Sequence, residues 1–281
     1  MSKPPFPDRL STNIQAHGPL CVGIDPSGPT LRACGLPDSA EGALAFGQRI
    51  LGAGEGRLAV VKPQSAYFER FGSAGWRALE TIIAAAHVQG VLVLVDAKRG
   101  DIDTTAEAYA QAFFAPGSPT RVDAITVHAY LGFAALSRLN DFATENGGGI
   151  FIVVRSSNPE GRPLQTAHLP DGHSVAEHLA SAITNYNRGH DPSGFGSIGA
   201  VVGATCDDAA QIIEQLPLSY ILAPGVGAQG ATLEDVAARF PQARGRVLPS
   251  VSRAVISQGT DITSIRTTLR ALREKAKALL S

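Results

Sequence analysis

VLVLVDAKRGDI, residues 91–102, runs five apolar residues straight into Asp96, Lys98 and Asp101. Unbroken apolar residues of this kind form a buried strand, and charges at its end are building a site, because unpaired charges cannot enter a core. Alternation along a strand puts Asp96 and Lys98 on the same face, with Asp101 just beyond in the turn. Two anions around one cation keep the lysine charged and repel a further negative charge brought among them. This arrangement suits an enzyme whose substrate loses an anion and receives a proton. The plainer explanation is a surface salt bridge at a loop, but an apolar strand feeding D-x-K-x-x-D argues against it.

Seven more apolar segments flank this one. In order, the eight are 20–25 (LCVGID), 58–63 (LAVVKP), 91–98, 124–130 (AITVHAY), 149–157 (GIFIVVRSS), 198–205 (IGAVVGAT), 220–227 (YILAPGVG) and 247–253 (VLPSVSR). Most are continuous rather than alternating, as parallel strands covered on both faces should be. Helical spacing fills the gaps, most clearly at 42–51, 75–89 and 104–114, with shorter examples at 207–215 and 233–240. A last amphipathic helix, 262–280, is rich in Arg and Lys and reads as a solvated face. Eight strand–helix repeats predict an α/β fold, a single (β/α)8 TIM barrel over residues 1–281. A doubly wound open sheet is the alternative. The longest irregular stretch, about 158–197, reads as an insert that contains a helix at 174–186.

Bulk composition narrows the function classes. Of 281 residues, 44% are apolar, enough for a large core. Basic and acidic residues balance at 24 and 25, so a nucleic acid polymer is not an expected partner. Cys21, Cys34 and Cys206 show neither zinc nor disulfide spacing. The N-terminal residues lack a signal peptide's apolar core, and no apolar run is long enough to span a membrane. A cytoplasmic protein is expected.

Barrel enzymes place chemistry at the C-terminal ends of their strands. Polar residues recur there: Asp25, Lys62, Asp96 and Lys98, His128, Ser156 and Ser157, and Arg253. His128 reads as a structural histidine rather than an acid or base. Strand seven leads into APGVGAQG, where Gly225, Gly227 and Gly230 match G-x-G-x-x-G, but no ribose-binding acid follows a second strand. The loops after strands seven and eight commonly hold phosphate. Gly225, Gly227, Gln229 and Arg253 therefore read as a phosphate grip.

D-x-K-x-x-D-I resembles the signature of orotidine 5′-phosphate decarboxylases, and DAKRGDI resembles their longer bacterial (type 2) subgroup. GIDPS, VVKP, SSNP, VVGAT, APGVG and the late Arg253 extend the likeness in the same order. The resemblance implies decarboxylation of orotidine 5′-monophosphate to uridine 5′-monophosphate in de novo pyrimidine biosynthesis, with no cofactor and no metal. It implies that Lys98 protonates C6, Asp96 faces the departing carboxylate, and Lys62 bridges Asp96 and the ribose. It also implies a homodimer in which Asp101 and Thr105 reach the partner's site, with Ile102 nearby. Asp25 would bind a ribose hydroxyl, Ser157 the pyrimidine, and Gln229 and Arg253 the phosphate. Ser156 competes with Ser157; S-N-P matches the family's S-x-P and favours Ser157. The family often has proline after D-I, where this chain has Asp103.

Three rivals share parts of the pattern. Keto-gulonate-phosphate decarboxylases carry D-x-K-x-x-D but use magnesium, with an acidic ligand where this chain has Lys62. A Schiff-base aldolase needs a lysine of depressed pKa, which flanking carboxylates oppose. A non-catalytic nucleotide-phosphate binding barrel has no use for an intact Asp96–Lys98–Asp101 set.

Overall fold

The computed structural model describes residues 3–190, 194–227 and 230–281. Eight strands form one closed parallel barrel in sequence order. They are β1 (Cys21–Ile24), β2 (Val60–Pro63), β3 (Leu92–Arg99), β4 (Ala124–Val127), β5 (Gly149–Arg155), β6 (Ile198–Val202), β7 (Ile221–Ala223) and β8 (Val247–Val251). Pairing of Cys21 with Ser250 and Val22 with Val251 closes the ring between β1 and β8. The TIM barrel is therefore the fold, and the open-sheet alternative falls.

Helices Ala40–Gly54, Gly72–Val88, Asp103–Phe114, Ser137–Glu145, Val175–His190, Ala209–Glu214, Leu233–Arg239 and Ile262–Leu280 follow the strands in turn. Side chains cap several of them where the sequence supplies Ser, Thr or Asp. Ser39 accepts the Gly42 N–H, and Asp261 accepts those of Thr263 and Ser264. Thr232 and Asp235 close a reciprocal capping box. The segment expected as an irregular insert, 158–197, holds the fifth of these crossover helices, which runs to His190 rather than ending near Tyr186. Between β5 and that helix the chain makes two short helical turns, Pro159–Gly161 and Arg162–Gln165.

One helix was not legible as such. Phe6–His17 precedes β1 and lays Phe6, Leu10 and Ile14 across the N-terminal end of the barrel. These side chains join the barrel-interior cluster with Phe151, Tyr220 and Leu248. Phe6 meets Phe151 edge-on, with ring centroids 6.1 Å apart. The fit requires Gly149, because a Cβ there would lie 2.1 Å from the Phe6 ring.

An ion cluster pins the same end. Asp123, 1% exposed, accepts bonds from Lys3 Nζ at 2.7 Å and the Val93 N–H at 2.8 Å. His87 Nε2 lies 2.9 Å from Oδ2, and Arg9 pairs with Oδ1, the oxygen that also takes Lys3. Burial pushes the Asp123 carboxyl up, but the His87 hydrogen bond and the Lys3 and Arg9 charges outweigh it and hold its pKa below the usual carboxylate range. A depressed folded pKa contributes stability that is present above the unfolded value, about 3.9, and is lost as pH falls through the folded value. Asp123→Asn should therefore lose stability at pH 7 and show a shallower further loss below about pH 4 than the parent, read by urea unfolding across pH. An unchanged acid slope would contradict this.

Candidate active site

The opposite, C-terminal mouth holds a cavity of about 340 Å³. Asp25 after β1, Lys62 in β2, and Asp96 and Lys98 in β3 all line it. So do Ser156 and Ser157 after β5, Gly225 after β7, and Arg253 after β8. Residues far apart in sequence converge because each ends a strand of one closed ring.

Asp96 is the hub. Its Oδ2 accepts from Lys62 Nζ at 3.0 Å and Gln64 Nε2 at 3.1 Å. Its Oδ1 accepts from Lys98 Nζ at 2.6 Å and Thr126 Oγ1 at 2.7 Å. Four donors fill the acceptor capacity of an ionised carboxylate. Burial pushes the Asp96 carboxyl up, but the Lys62 and Lys98 charges, with the bonds from Lys98 and Thr126, hold its pKa well below the usual range. For Lys62, burial opposes the charge, while Asp96 and then Asp25 raise the pKa above the ordinary lysine value. Both partners' shifts agree: the pair is ionised. Beneath it, burial pushes the Cys21 thiol up to about 12, so that group is a neutral floor.

Asp96 and Lys98 lie on the irregular end of β3. They meet, but not by regular alternation: the β3–β4 register shifts between Val95 and Arg99, and Lys98 has φ of 45°. Asp25 lies beside this array with a buried Oδ1 that has no hydrogen-bond partner. A polar ligand atom would satisfy it.

The two serines separate clearly. Gln165 Nε2 donates to Ser156 Oγ at 2.8 Å, and that hydroxyl donates to Asn158 Oδ1 at 2.7 Å. No such bond engages the Ser157 hydroxyl among the described residues. Arg155, 5% exposed and not anticipated, braces this loop: its Nε reaches both Asp208 oxygens at 3.0 Å and its Nη1 the Ser156 carbonyl at 3.0 Å.

Other expected residues sit elsewhere. Asp101, Ile102 and Thr105 lie outside the cavity, on the turn and helix start after β3, and Ile102 is 51% exposed. Within one chain, then, one anion sits between two cations, rather than two anions around one. Asp103 has φ of 45°, a value closed to proline, so this turn differs from one built on D-I-P. His128 is exposed and outside the cavity, past the end of β4. It packs against Gly100 in the turn after β3 and is not an acid or base of this cavity. Gly225 and Gly227, at φ 111° and 76°, take conformations that suit glycine. The Gly227 N–H is committed to the Ala231 carbonyl at 2.7 Å, so Gly227 shapes the loop rather than offering a donor. Gln229 lies outside the described residues.

Gln64 and Thr126 are the partners of Asp96 that sequence reasoning missed. Thr126 did leave a signal: it is the one hydroxyl in the otherwise apolar β4.

A closed (β/α)8 barrel with a lysine–aspartate–lysine array at its mouth defines a barrel enzyme of the lyase type. The model of the "Orotidine 5′-phosphate decarboxylase / HUMPS family" matches residues 18–267, and the chain belongs to that family. It is 45% identical over 264 residues to an orotidine 5′-phosphate decarboxylase of Streptomyces coelicolor, covering 94% of each chain. It is 41% identical over 275 residues to one of Myxococcus xanthus, covering 98% of this chain and 96% of that one. Among solved structures, the OMP decarboxylase of Leishmania donovani superposes with a TM-score of 0.80 at 29% identity, covering 99% and 98% of the two chains.

Asp96→Ala would leave Lys62 buried without its main counter-charge and should cost about 3 kcal/mol in urea unfolding. A loss under about 1 kcal/mol would mean that Lys62 escapes to solvent and that the array is not held by burial.

Proposed function

We propose that this chain decarboxylates orotidine 5′-monophosphate to uridine 5′-monophosphate and CO2 in de novo pyrimidine biosynthesis, without metal or cofactor and in the cytoplasm. The Lys62–Asp96–Lys98 array, with Lys62 and Asp96 buried and Lys98 open to the cavity, carries the reading. The C6–carboxylate bond breaks, the electron pair stays on C6, and CO2 leaves. Lys98 Nζ donates its proton to C6 and recovers one from solvent. A fixed ammonium stabilises the charge developing at C6 more than it stabilises the substrate carboxylate, which is the differential binding catalysis requires. Asp96, held ionised, faces the substrate carboxylate and disfavours the ground state there.

Asp25, with its unpartnered buried oxygen, takes a ribose hydroxyl. Ser157, whose hydroxyl is uncommitted, takes the pyrimidine, while Ser156 is tied to Gln165 and Asn158. Gly225, Gln229 and Arg253 grip the phosphate, with Gly227 shaping their loop. Binding energy from that remote group orders the site around the ring.

A homodimer completes the site in this proposal, Asp101 and Thr105 reaching the partner's cavity beside Ile102. Support comes from their position outside their own cavity. Exposed apolar Ile102, Tyr130 (75%) and Leu131 (54%) sit past the ends of neighbouring strands β3 and β4. The magnesium-dependent rival is disfavoured by donor chemistry. Where it needs an acidic ligand this chain has a protonated Lys62, and Asp96 is already saturated.

Two assays test this. Purified, EDTA-treated protein should convert orotidine 5′-monophosphate to uridine 5′-monophosphate, followed as loss of orotate absorbance, and Lys98→Ala should lose at least about 1,000-fold. No turnover by folded wild type would overturn the proposal. Asp101→Ala and Lys98→Ala proteins, each inactive, should regain roughly a quarter of wild-type activity after subunit exchange, because half of random dimers carry one intact site. No recovery would exclude the shared site.

A further inference from the structure

The β3–β4 ladder pairs Val95 with Ile125 and then Arg99 with Val127. Three residues of β3 (Asp96, Ala97 and Lys98) therefore stand opposite one residue of β4, Thr126. The excursion displaces the Lys98 N–H from the regular ladder, and Lys98 takes φ of 45°. A lysine holds that conformation only where its surroundings enforce it.

The Thr126 side chain fills the gap. Its Oγ1 accepts the Lys98 N–H at 3.0 Å, doing what a strand carbonyl would otherwise do. The same oxygen donates its proton to Asp96 Oδ1 at 2.7 Å. A hydroxyl has one proton, and here both neighbours fix its direction: the amide can only donate and the carboxylate can only accept. Thr126 is 1% exposed, so water does not compete.

We infer that Thr126 is a positioning residue whose hydroxyl ties the backbone of Lys98 to the carboxylate of Asp96 and so sets where the Lys98 ammonium stands. The inference rests on the decarboxylase reading only for its kinetic consequence. It needs no contact between Thr126 and substrate. Asp25, Ser157 and the phosphate loop bind the nucleotide by other elements, so loss of the hydroxyl falls on turnover and not on nucleotide affinity.

Thr126→Val keeps the shape and removes the hydroxyl, while Thr126→Ser keeps the hydroxyl. Thr126→Val should lower kcat on orotidine 5′-monophosphate about 10- to 100-fold, the effect of losing a hydrogen bond to a charged group. Its Kd for uridine 5′-monophosphate should stay within about 3-fold of wild type, and Thr126→Ser should stay within about 3-fold in both. Hydrogen exchange at the Lys98 amide should quicken in Thr126→Val and stay slow in wild type and Thr126→Ser. Slow exchange in Thr126→Val, or a Thr126→Ser as impaired as Thr126→Val, would overturn the inference. If wild type leaves orotidine 5′-monophosphate untouched, the functional reading falls, and the amide exchange still decides whether Thr126 holds Lys98.

Discussion

One carboxylate between two ammonium groups organises the mouth of this barrel. Asp96 is 8% exposed and could not stay ionised there alone. Lys62 from β2, Lys98 from β3 and Thr126 from β4 reach it because these strands are neighbours in a closed ring. Each partner needs the others: Lys62 keeps its proton in a buried site because Asp96 is ionised, and Asp96 stays ionised because two lysines face it. The array is thus set before any ligand arrives, which is the condition for electrostatic catalysis without reorganisation at the moment of reaction.

The two ends of the barrel divide the work. At the N-terminal end, Phe6, Leu10 and Ile14 plug the interior, and Asp123 ties Lys3, Arg9 and His87 together. At the C-terminal end, Asp25 keeps a buried oxygen without a partner, and Lys98 holds a backbone conformation that regular strands avoid. An unpartnered buried oxygen and a strained backbone position thus both border the cavity.

The barrel was legible because parallel strands buried on both faces leave continuous apolar runs, such as VLVLV before Asp96. The strand-end charges were legible for the converse reason: a charge directly after such a run marks where the strand leaves the core. The β3 excursion was not legible, since a register shift belongs to a pair of strands and neither sequence alone records it. That is why alternation brought Asp96 and Lys98 together for the wrong reason and left Thr126 unnoticed. Asp101 looked like a third member of the array by spacing, but the chain turns away after Arg99. The Phe6–His17 helix shows an i, i+4, i+8 apolar stripe, yet the prolines at 4, 5 and 7 disguise it as a loop. His128 ends an apolar run like the others, but it falls one residue past β4 and out of the cavity.

The most direct measurement is a crystal structure of the protein with uridine 5′-monophosphate bound. If the array serves one carbon atom, Lys98 Nζ will stand about 3 Å from C6, with Asp96 behind it and the phosphate at the Gly225 and Arg253 end. A nucleotide whose C6 faces away from Lys98, or whose phosphate sits against Asp96, would contradict the claim that this carboxylate and its two lysines are the centre of the chemistry.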